Sequence, residues 1–315
     1  MPATPSVPAP QTPRRPVLEI AVQDVAGVRI ASRVGAARAE LCVALGATGG
    51  LTPSVGLLEG AVAAALAAVP RDRLLGRLDG AYGEVSDGSS GGAEDGAYGE
   101  ADDSAYGETH DEPHASPTRL PDGRDPVGIH PLIRCRAGGF VYDADELDVH
   151  LRDVRALVRA GASGVVVGAL TLAGEVDAGA VSRLVDAADG AEVTFHRAVD
   201  VLADPSAAVE VLCGLGVTRV LTSGGAARSI DGVARLARMV EVAAGRLQVM
   251  AGGGVRAVDV AALLAAGVDA VHLSAKGCVA ADGGVGGGAG ACIEVTDPEV
   301  AEEAAHAFRA AAAAL

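Results

Sequence analysis

The chain has 315 residues, enough for one large domain or two small ones, and a formal net charge of −16. This acidic balance argues against nucleic acid, and against an anionic membrane surface, as a binding partner. No apolar run predicts a membrane span, and the Pro-rich N-terminus lacks the apolar core of a signal peptide.

Eight apolar segments alternate with segments of helical pattern along the chain. The predicted strands are Val17–Val22, 37–42, 128–134, 164–170, Glu192–Phe195, 219–223, 247–251 and 270–274. Apolar strands that alternate with helices are typical of a parallel sheet. Eight such units favour a closed (β/α)₈ TIM barrel over an open doubly wound sheet, and no GxGxxG motif follows the first strand.

The remaining segments give the domain organisation. We expect a disordered N-terminal lead over 1–16, a barrel over 17–275, and a Gly-rich segment with a C-terminal helix over 276–315. An acidic insertion over 71–126 interrupts the barrel. It repeats AYGE three times, and the stretch from Asp79 to Asp125 contains 13 acidic residues but only two arginines. Such composition predicts disorder. Because the insertion joins a helix to a strand, we expect it on the face opposite the active-site loops. A partner-binding role is the alternative.

The five cysteines are odd in number and widely spaced. They are Cys42, Cys135, Cys213, Cys278 and Cys292. This spacing predicts neither a disulfide framework nor a CxxC metal site, and it indicates a reducing, cytoplasmic compartment.

Ionisable side chains lie within or directly after several of the predicted strands. Glu19 and Glu40 interrupt apolar strands, so each should face the barrel lumen and need a partner. Arg134 is a plausible counter-ion for them, and His196 is a candidate general acid or base beside Arg197. Two alternatives remain open, a working active site and a structural polar cluster. A zinc site of Glu19, Glu40 and His196 is a weaker possibility.

Two glycine-rich motifs follow the sixth and seventh strands. They are Ser223-Gly224-Gly225 and Gly252-Gly253-Gly254. Backbone amides at such turns suit a phosphate or carboxylate, so the pair predicts an anion site, although glycine is also an ordinary turn residue. A Schiff-base mechanism would need a lysine in the lumen, and the single lysine, Lys276, lies beyond the eighth strand.

Several of these segments together resemble one known family. LEIAVQD, AELC, GGLTPS, IRCRAGGFVY, LTLAGEVD, TFHRAVD, LTSGG and MAGGGVR occur in this order, between about Leu18 and Ala275. The series closely resembles the CutC family, described as copper homeostasis proteins. The resemblance implies a TIM barrel, a cytoplasmic location and a role in copper handling.

The residues supply few ligands of the kind that copper prefers. Cu(I) favours thiolate and thioether ligands, and Met1, Met239 and Met250 form no cluster in the sequence. Cys42 and Cys135 end neighbouring strands and are the candidate copper ligands, with small buried hydrophobes as the alternative.

Two functions of different classes follow. The first, implied by the resemblance, is a cytoplasmic protein that binds copper ions and takes part in copper homeostasis. The second is a TIM-barrel enzyme that acts on a small anionic metabolite, phosphorylated metabolites being one such class, with His196 as acid/base. The Ala-rich helix faces would suit a homodimer, but equally close packing within one barrel.

Overall fold

The computed structural model describes residues 15–67, 126–280 and 292–315. Most of the predicted N-terminal lead, the acidic insertion except its last residue, and the predicted Gly-rich stretch lie outside the described residues. Within those that are described, no helix is long and apolar enough to cross a membrane.

Eight parallel strands form the barrel. They are β1 Val17–Val22, β2 Arg38–Leu41, β3 Gly128–Pro131, β4 Gly164–Val167, β5 Glu192–Phe195, β6 Arg219–Thr222, β7 Gln248–Gly252 and β8 Ala270–Leu273. Their order in the sheet is β3-β2-β1-β8-β7-β6-β5-β4. A parallel bridge between Leu132 and Val166 joins β3 to β4 and closes the ring. The TIM barrel predicted from the sequence is therefore confirmed.

Helices connect the strands and cover the outside of the barrel. They are α1 Val25–Val34, α2 Leu45–Thr48, α3 Val55–Ala67, α4 Ala144–Arg159, α5 Ala178–Ala187, α6 Pro205–Gly214, α7 Val233–Ala243, α8 Val260–Ala265 and α9 Pro298–Ala312. Short 3₁₀ turns span Arg197–Val201, Ser229–Gly232 and Ala257–Asp259. Five of the helices begin after an aspartate whose side chain accepts from backbone amides of the first turn: Asp24, Asp143, Asp177, Asp204 and Asp297.

Side-chain alternation along the strands separates the apolar core from a polar lumen. Ile20 and Phe195 are fully buried and belong to the apolar clusters that the helices cover. Their neighbours Glu19 and Thr194 point the other way, into the lumen, because successive residues of a strand face opposite sides of a sheet. The lumen therefore carries the charged residues of the strands.

A hairpin that the sequence did not predict follows β8. Its strands are β9 Lys276–Val279 and β10 Ile293–Thr296, which pair antiparallel. Cys278 and Cys292 are joined by a disulfide, with their Cα atoms 5.6 Å apart. The spacing of the cysteines did not predict this pairing, because the two residues become adjacent only through the hairpin.

Candidate functional site

A cavity of about 580 Å³ opens at the carboxyl ends of the barrel strands. In TIM barrels this face, built from the loops that follow the strands, carries the active site. Six of the residues singled out in the sequence line this cavity: Glu40, Arg134, His196, Arg197, Gly253 and Gly254. His272 also lines the cavity, and its ring lies between Glu40 and the buried Glu19.

Glu19 is fully buried and is paired with two bases. Its register places it beside Arg38 on β2 and beside His272 on β8. Arg38 donates to Glu19 Oε2 through Nε at 2.9 Å and Nη2 at 2.8 Å, and His272 Nδ1 lies 2.7 Å from Oε1. Burial alone would raise the pKa of Glu19. The Arg38 guanidinium and His272 have the larger, opposite effect, so the pKa lies well below its ordinary value. Glu19 is therefore an anion that fixes both neighbours.

Two acidic residues line the cavity, Asp200 and Glu40, and the one beside His272 is Glu40. Its Oε2 lies 3.5 Å from Nε2 of His272, on the side of the ring opposite Glu19. Burial raises the pKa of Glu40 to about 7, with the Glu19 charge acting in the same direction and His272 against it. Burial lowers the pKa of His272, but the two carboxylates raise it above its ordinary value. Glu40, with a pKa of about 7, and His272, with a raised pKa, therefore influence each other's protonation directly.

Arg134 does not serve as the counter-ion of Glu19 or Glu40, and that expectation was wrong. Its Nη1 donates to the carbonyls of Thr48 and Gly50, and its Nη2 to the carbonyl of Gly138. None of the ion pairs found within the described residues includes Arg134. Its guanidinium therefore ties two loops together and leaves positive charge at the cavity wall.

His196 directly follows β5 and caps the 3₁₀ turn that comes next. Its Nδ1 accepts from the Ala198 amide at 3.2 Å, so the proton of the neutral ring lies on Nε2. Burial, aided by the nearby Arg134 charge, lowers the pKa of His196 to about 3. In this arrangement the neutral ring offers an N–H donor at Nε2, and the acid/base role of His196 stays a prediction.

The first glycine motif is occupied by a side chain of the protein itself. The amides of Ser223 and Gly225 donate to the Asp200 carboxylate at 3.0 Å each, and so does the Ser223 hydroxyl at 2.9 Å. We call these donors the β6 nest. Sequence reasoning identified a motif that binds an anion, but the anion is internal.

Asp200 also orients Arg197. Arg197 Nε donates to Asp200 Oδ2 at 2.8 Å, and its Nη2 donates to the Ser223 hydroxyl at 3.1 Å. The guanidinium lies against Gly253, where a Cβ would come within 2.9 Å of its central carbon. Two donors are fixed in this way, and among the residues that the structure describes Nη1 has no acceptor, so it is available to a ligand in the cavity.

The second glycine motif borders the cavity directly. Gly252 is part of β7, whereas Gly253 and Gly254 have φ of +113° and +63°, conformations that favour glycine. The Gly253 carbonyl accepts from the Ser229 hydroxyl, and the Gly254 carbonyl accepts from Arg228 Nε. Within the part of the chain that the structure describes, no acceptor is found for their amides, which suits them to an anion beside Arg197.

The two predicted copper ligands, Cys42 and Cys135, lie in different surroundings. Cys42 is fully buried with Leu132 and Val166, and burial raises the pKa of its thiol. Cys135 lies on the loop after β3, where its amide donates to His150 of α4, and burial raises its thiol pKa as well. Among the described residues, no group of three or more His, Cys, Asp and Glu is arranged to hold a metal ion.

Sequence reasoning missed the charged network below the cavity. Arg38 and Arg219 are both buried, and each donates through Nη1 to Glu192 Oε2, at 3.0 and 3.1 Å. Arg219 also donates to Thr194 Oγ1 at 3.3 Å. The available signal was the alternation of charged and apolar residues in β2, β5 and β6, which places these side chains in the lumen.

Comparisons with known proteins agree on one family. The model of the CutC family matches residues 16–75 and 118–277. A relative from Xanthomonas campestris pv. campestris, named family protein CutC, is 38% identical over 265 residues, which are 84% of this chain and 85% of that protein. One from Agrobacterium fabrum with the same name is 38% identical over 248 residues, or 79% and 74% of the two chains.

A solved structure is similar over most of this chain. It is described as a copper homeostasis protein CutC from Streptococcus agalactiae, and it aligns with a TM-score of 0.58 and 23% identity over 82% of this chain and 97% of that one. This likeness supports the barrel fold. With the family model covering most of the chain and relatives above one third identity, the protein belongs to the CutC family.

Proposed function

We propose that this protein is an enzyme that transfers a proton on a small anionic substrate bound at the barrel mouth. The observation that carries the proposal is the pair Glu40 and His272. Glu40 lines the cavity, its pKa is raised to about 7, and Glu19 fixes the ring beside it. A carboxylate with a pKa near the working pH is suited to take up and return a proton.

The opposite end of the cavity supplies the charge that would hold the substrate. Arg197 is oriented by Asp200 and Ser223 and lies against the backbone of Gly253. A guanidinium next to free backbone amides binds phosphate or carboxylate groups with geometric specificity. Loops after the seventh and eighth strands are a frequent phosphate site in TIM barrels. A phosphorylated metabolite is therefore our preferred substrate class.

The chemistry then divides between the two ends of the cavity. Arg197 and the amides of Gly253 and Gly254 would anchor the anionic group. Glu40 would take a proton from the substrate and return it. The pKa of His272, which is hydrogen-bonded to Glu19, would shift as the neighbouring Glu40 changes charge. No cofactor is needed for such a step.

A screen with phosphorylated metabolites tests both parts of the proposal. A ligand present at about 100 times its dissociation constant should add about 2.7 kcal/mol to the unfolding free energy, seen as a rise in melting temperature. Arg197→Met should lose most of this rise. Exchange of a ligand C–H for deuterium in D₂O should occur with wild type and stop in Glu40→Gln, which keeps the binding site. If no anion stabilises wild type, the proposal fails.

Copper handling is a second candidate function, because the solved relative is described as a copper homeostasis protein. Its ligands in this chain would be Cys42 and Cys135, although a buried thiol with a raised pKa is a poor ligand. Anaerobic Cu(I) titration of wild type and of the double variant Cys42→Ser/Cys135→Ser tests this function. Equal, weak binding by the two proteins would exclude these ligands.

A further inference from the structure

We infer that His196 binds a carbonyl oxygen of the substrate through Nε2–H and stabilises the negative charge that this oxygen gains during proton transfer. The inference rests on the proposed function and deepens it. It assigns a substrate class, small anionic carbonyl compounds, and a reaction class, enolisation followed by return of the proton.

The first step concerns the proton on the His196 ring. Nδ1 accepts from the Ala198 amide, which places the ring proton on Nε2. The Gly168 residue after β4 leaves the space that the imidazole fills, since a Cβ at that position would overlap the ring. Backbone on two sides therefore fixes both the tautomer and the orientation of the ring.

The second step concerns the free donor. His196 is 5% exposed and lines the cavity, and its Nε2 is buried without a hydrogen-bond partner among the described residues. Buried donors are nearly always satisfied by protein, ordered water or a ligand, and because His196 lines the cavity we assign a ligand atom as the acceptor of this one. Because Nε2–H donates and cannot accept in this tautomer, the bound atom has to carry a lone pair.

The third step concerns which acceptor the surroundings favour. The Phe140 ring lies 4.9 Å from the His196 ring, centre to centre, and the Arg134 guanidinium lies 5.3 Å from the centre of Phe140. The donor thus acts in an apolar setting with positive charge nearby, where hydrogen bonds to developing negative charge are strong. A carbonyl oxygen that becomes an enolate fits this setting.

The fourth step places the donor relative to the base. Glu40 is on β2 and His196 follows β5, so β3 and β4 separate them on one side of the ring and four strands on the other. Both side chains line the same cavity. A substrate lying across the mouth can therefore meet the carboxylate on one side and the Nε2–H on the other, with its anionic group at Arg197.

The reaction balances without an oxidant or reductant. Glu40 takes a proton from the carbon next to the carbonyl, the C–H electron pair becomes a C=C bond, and the carbonyl π pair moves to oxygen. The oxygen, now an enolate, accepts from His196 Nε2–H. In a substrate with a hydroxyl group on the deprotonated carbon, the hydroxyl proton passes to the enolate oxygen while Glu40 returns its proton to the former carbonyl carbon, which yields the isomeric carbonyl compound.

Two variants of His196 separate the donor from the helix cap. His196→Asn keeps an acceptor near the Nδ1 position for the Ala198 amide but has no donor at the Nε2 position. His196→Gln reaches the Nε2 position with an amide N–H and loses the cap. The probes are 2-phosphoglycolate, whose carboxylate resembles an enediolate, and inorganic phosphate, which occupies only the anion end.

Calorimetric titration gives the binding result. We expect wild type to bind 2-phosphoglycolate at least about tenfold more tightly than phosphate, as a hydrogen bond to a charged acceptor would provide. His196→Asn should lose this preference, His196→Gln should retain part of it, and all three proteins should bind phosphate alike. If His196→Asn keeps the full preference, the inference is wrong.

Nuclear magnetic resonance of ¹⁵N-histidine-labelled protein gives a readout that a structural role would not move. The Nε2–H resonance of His196 should shift downfield with 2-phosphoglycolate and stay in place with phosphate. Phosphate binding without any preference for 2-phosphoglycolate would overturn this inference alone. Failure of wild type to bind either probe would overturn the anion site, and the inference with it.

Discussion

The Asp200 carboxylate lies in the nest of amides that Ser223 begins, and it accepts from both the amide and the hydroxyl of that serine. This contact turns a loop that could bind an external anion into a support for Arg197. Asp200, which lies in the 3₁₀ turn after β5 and also lines the cavity, thus sets the position of the Arg197 charge.

Asp200→Asn should weaken both the fold and anion binding. The amide carries one acceptor oxygen where the carboxylate uses two, so donors of the β6 nest lose partners at a cost of about 1–3 kcal/mol. Urea unfolding measures this loss. The matched control is Asp148→Asn, at an exposed pair with Arg152, which should change the unfolding free energy by less than about 0.5 kcal/mol. Equal changes in the two variants would contradict the role of Asp200.

Alternation along single strands was enough to place Glu19 and Glu40 in the lumen, and the repeated strand–helix order was enough to predict the barrel. The ion-pair and hydrogen-bond partners of these charged side chains could not be predicted in the same way. Glu19 pairs with Arg38 because the register of β1 against β2 sets them side by side, whereas Arg134 is taken by loop carbonyls. Register is a property of two strands, and no single segment of sequence contains it.

The glycine motifs illustrate a second limit. Composition identified two loops whose amides can bind an anion, but it could not say that Asp200 fills the first and leaves the second open. Occupancy depends on a contact between loops that are 23 or more residues apart in the chain. The disulfide between Cys278 and Cys292 has the same origin, since an unpredicted hairpin creates it.

Arg38→Met should be among the most destabilising single changes in the barrel. It leaves the fully buried Glu19 carboxylate without its guanidinium partner, and removing one member of a buried ion pair costs about 3–5 kcal/mol. The control is Arg152→Met, which removes an exposed pair worth about 0.3–0.5 kcal/mol. Chemical denaturation of both variants at pH 7 measures the difference. A loss for Arg38→Met as small as that of the control would show that Glu19 is not held as described.

Gly168→Ala tests whether the space beside β4 is reserved for His196. The added Cβ would overlap the His196 ring, so the imidazole has to move and its hydrogen bond to the Ala198 amide should be lost. Gly56→Ala is the control, because nothing lies within 4 Å of a Cβ at that position in α3. There alanine should stabilise the helix by up to about 1 kcal/mol. The ¹⁵N shifts of His196 should change in Gly168→Ala and remain unchanged in Gly56→Ala.

Glu40→Gln should change the pH dependence of stability in a defined direction. The folded-state pKa of Glu40, about 7, exceeds its ordinary value of 4.5, so the native state binds the proton more tightly than the unfolded chain does. Its contribution to stability is full below about pH 4.5 and is lost as the pH rises through 7. Glutamine resembles the protonated acid at every pH and does not lose this contribution.

The quantity to measure is the unfolding free energy of Glu40→Gln minus that of wild type, from pH 4 to pH 8.5. We expect it to rise by about 3 kcal/mol across this range, as a shift of this size implies. Burial lowers the pKa of His130 and His196, which destabilises both proteins as the pH falls, and the subtraction cancels that effect. Because Glu40 faces His272, with Glu19 and Arg38 beyond it, the midpoint belongs to the coupled pair. If this difference in unfolding free energy does not change with pH, Glu40 titrates as an ordinary exposed acid. Glu40 would then be unsuited to act as the base of the proposed proton transfer.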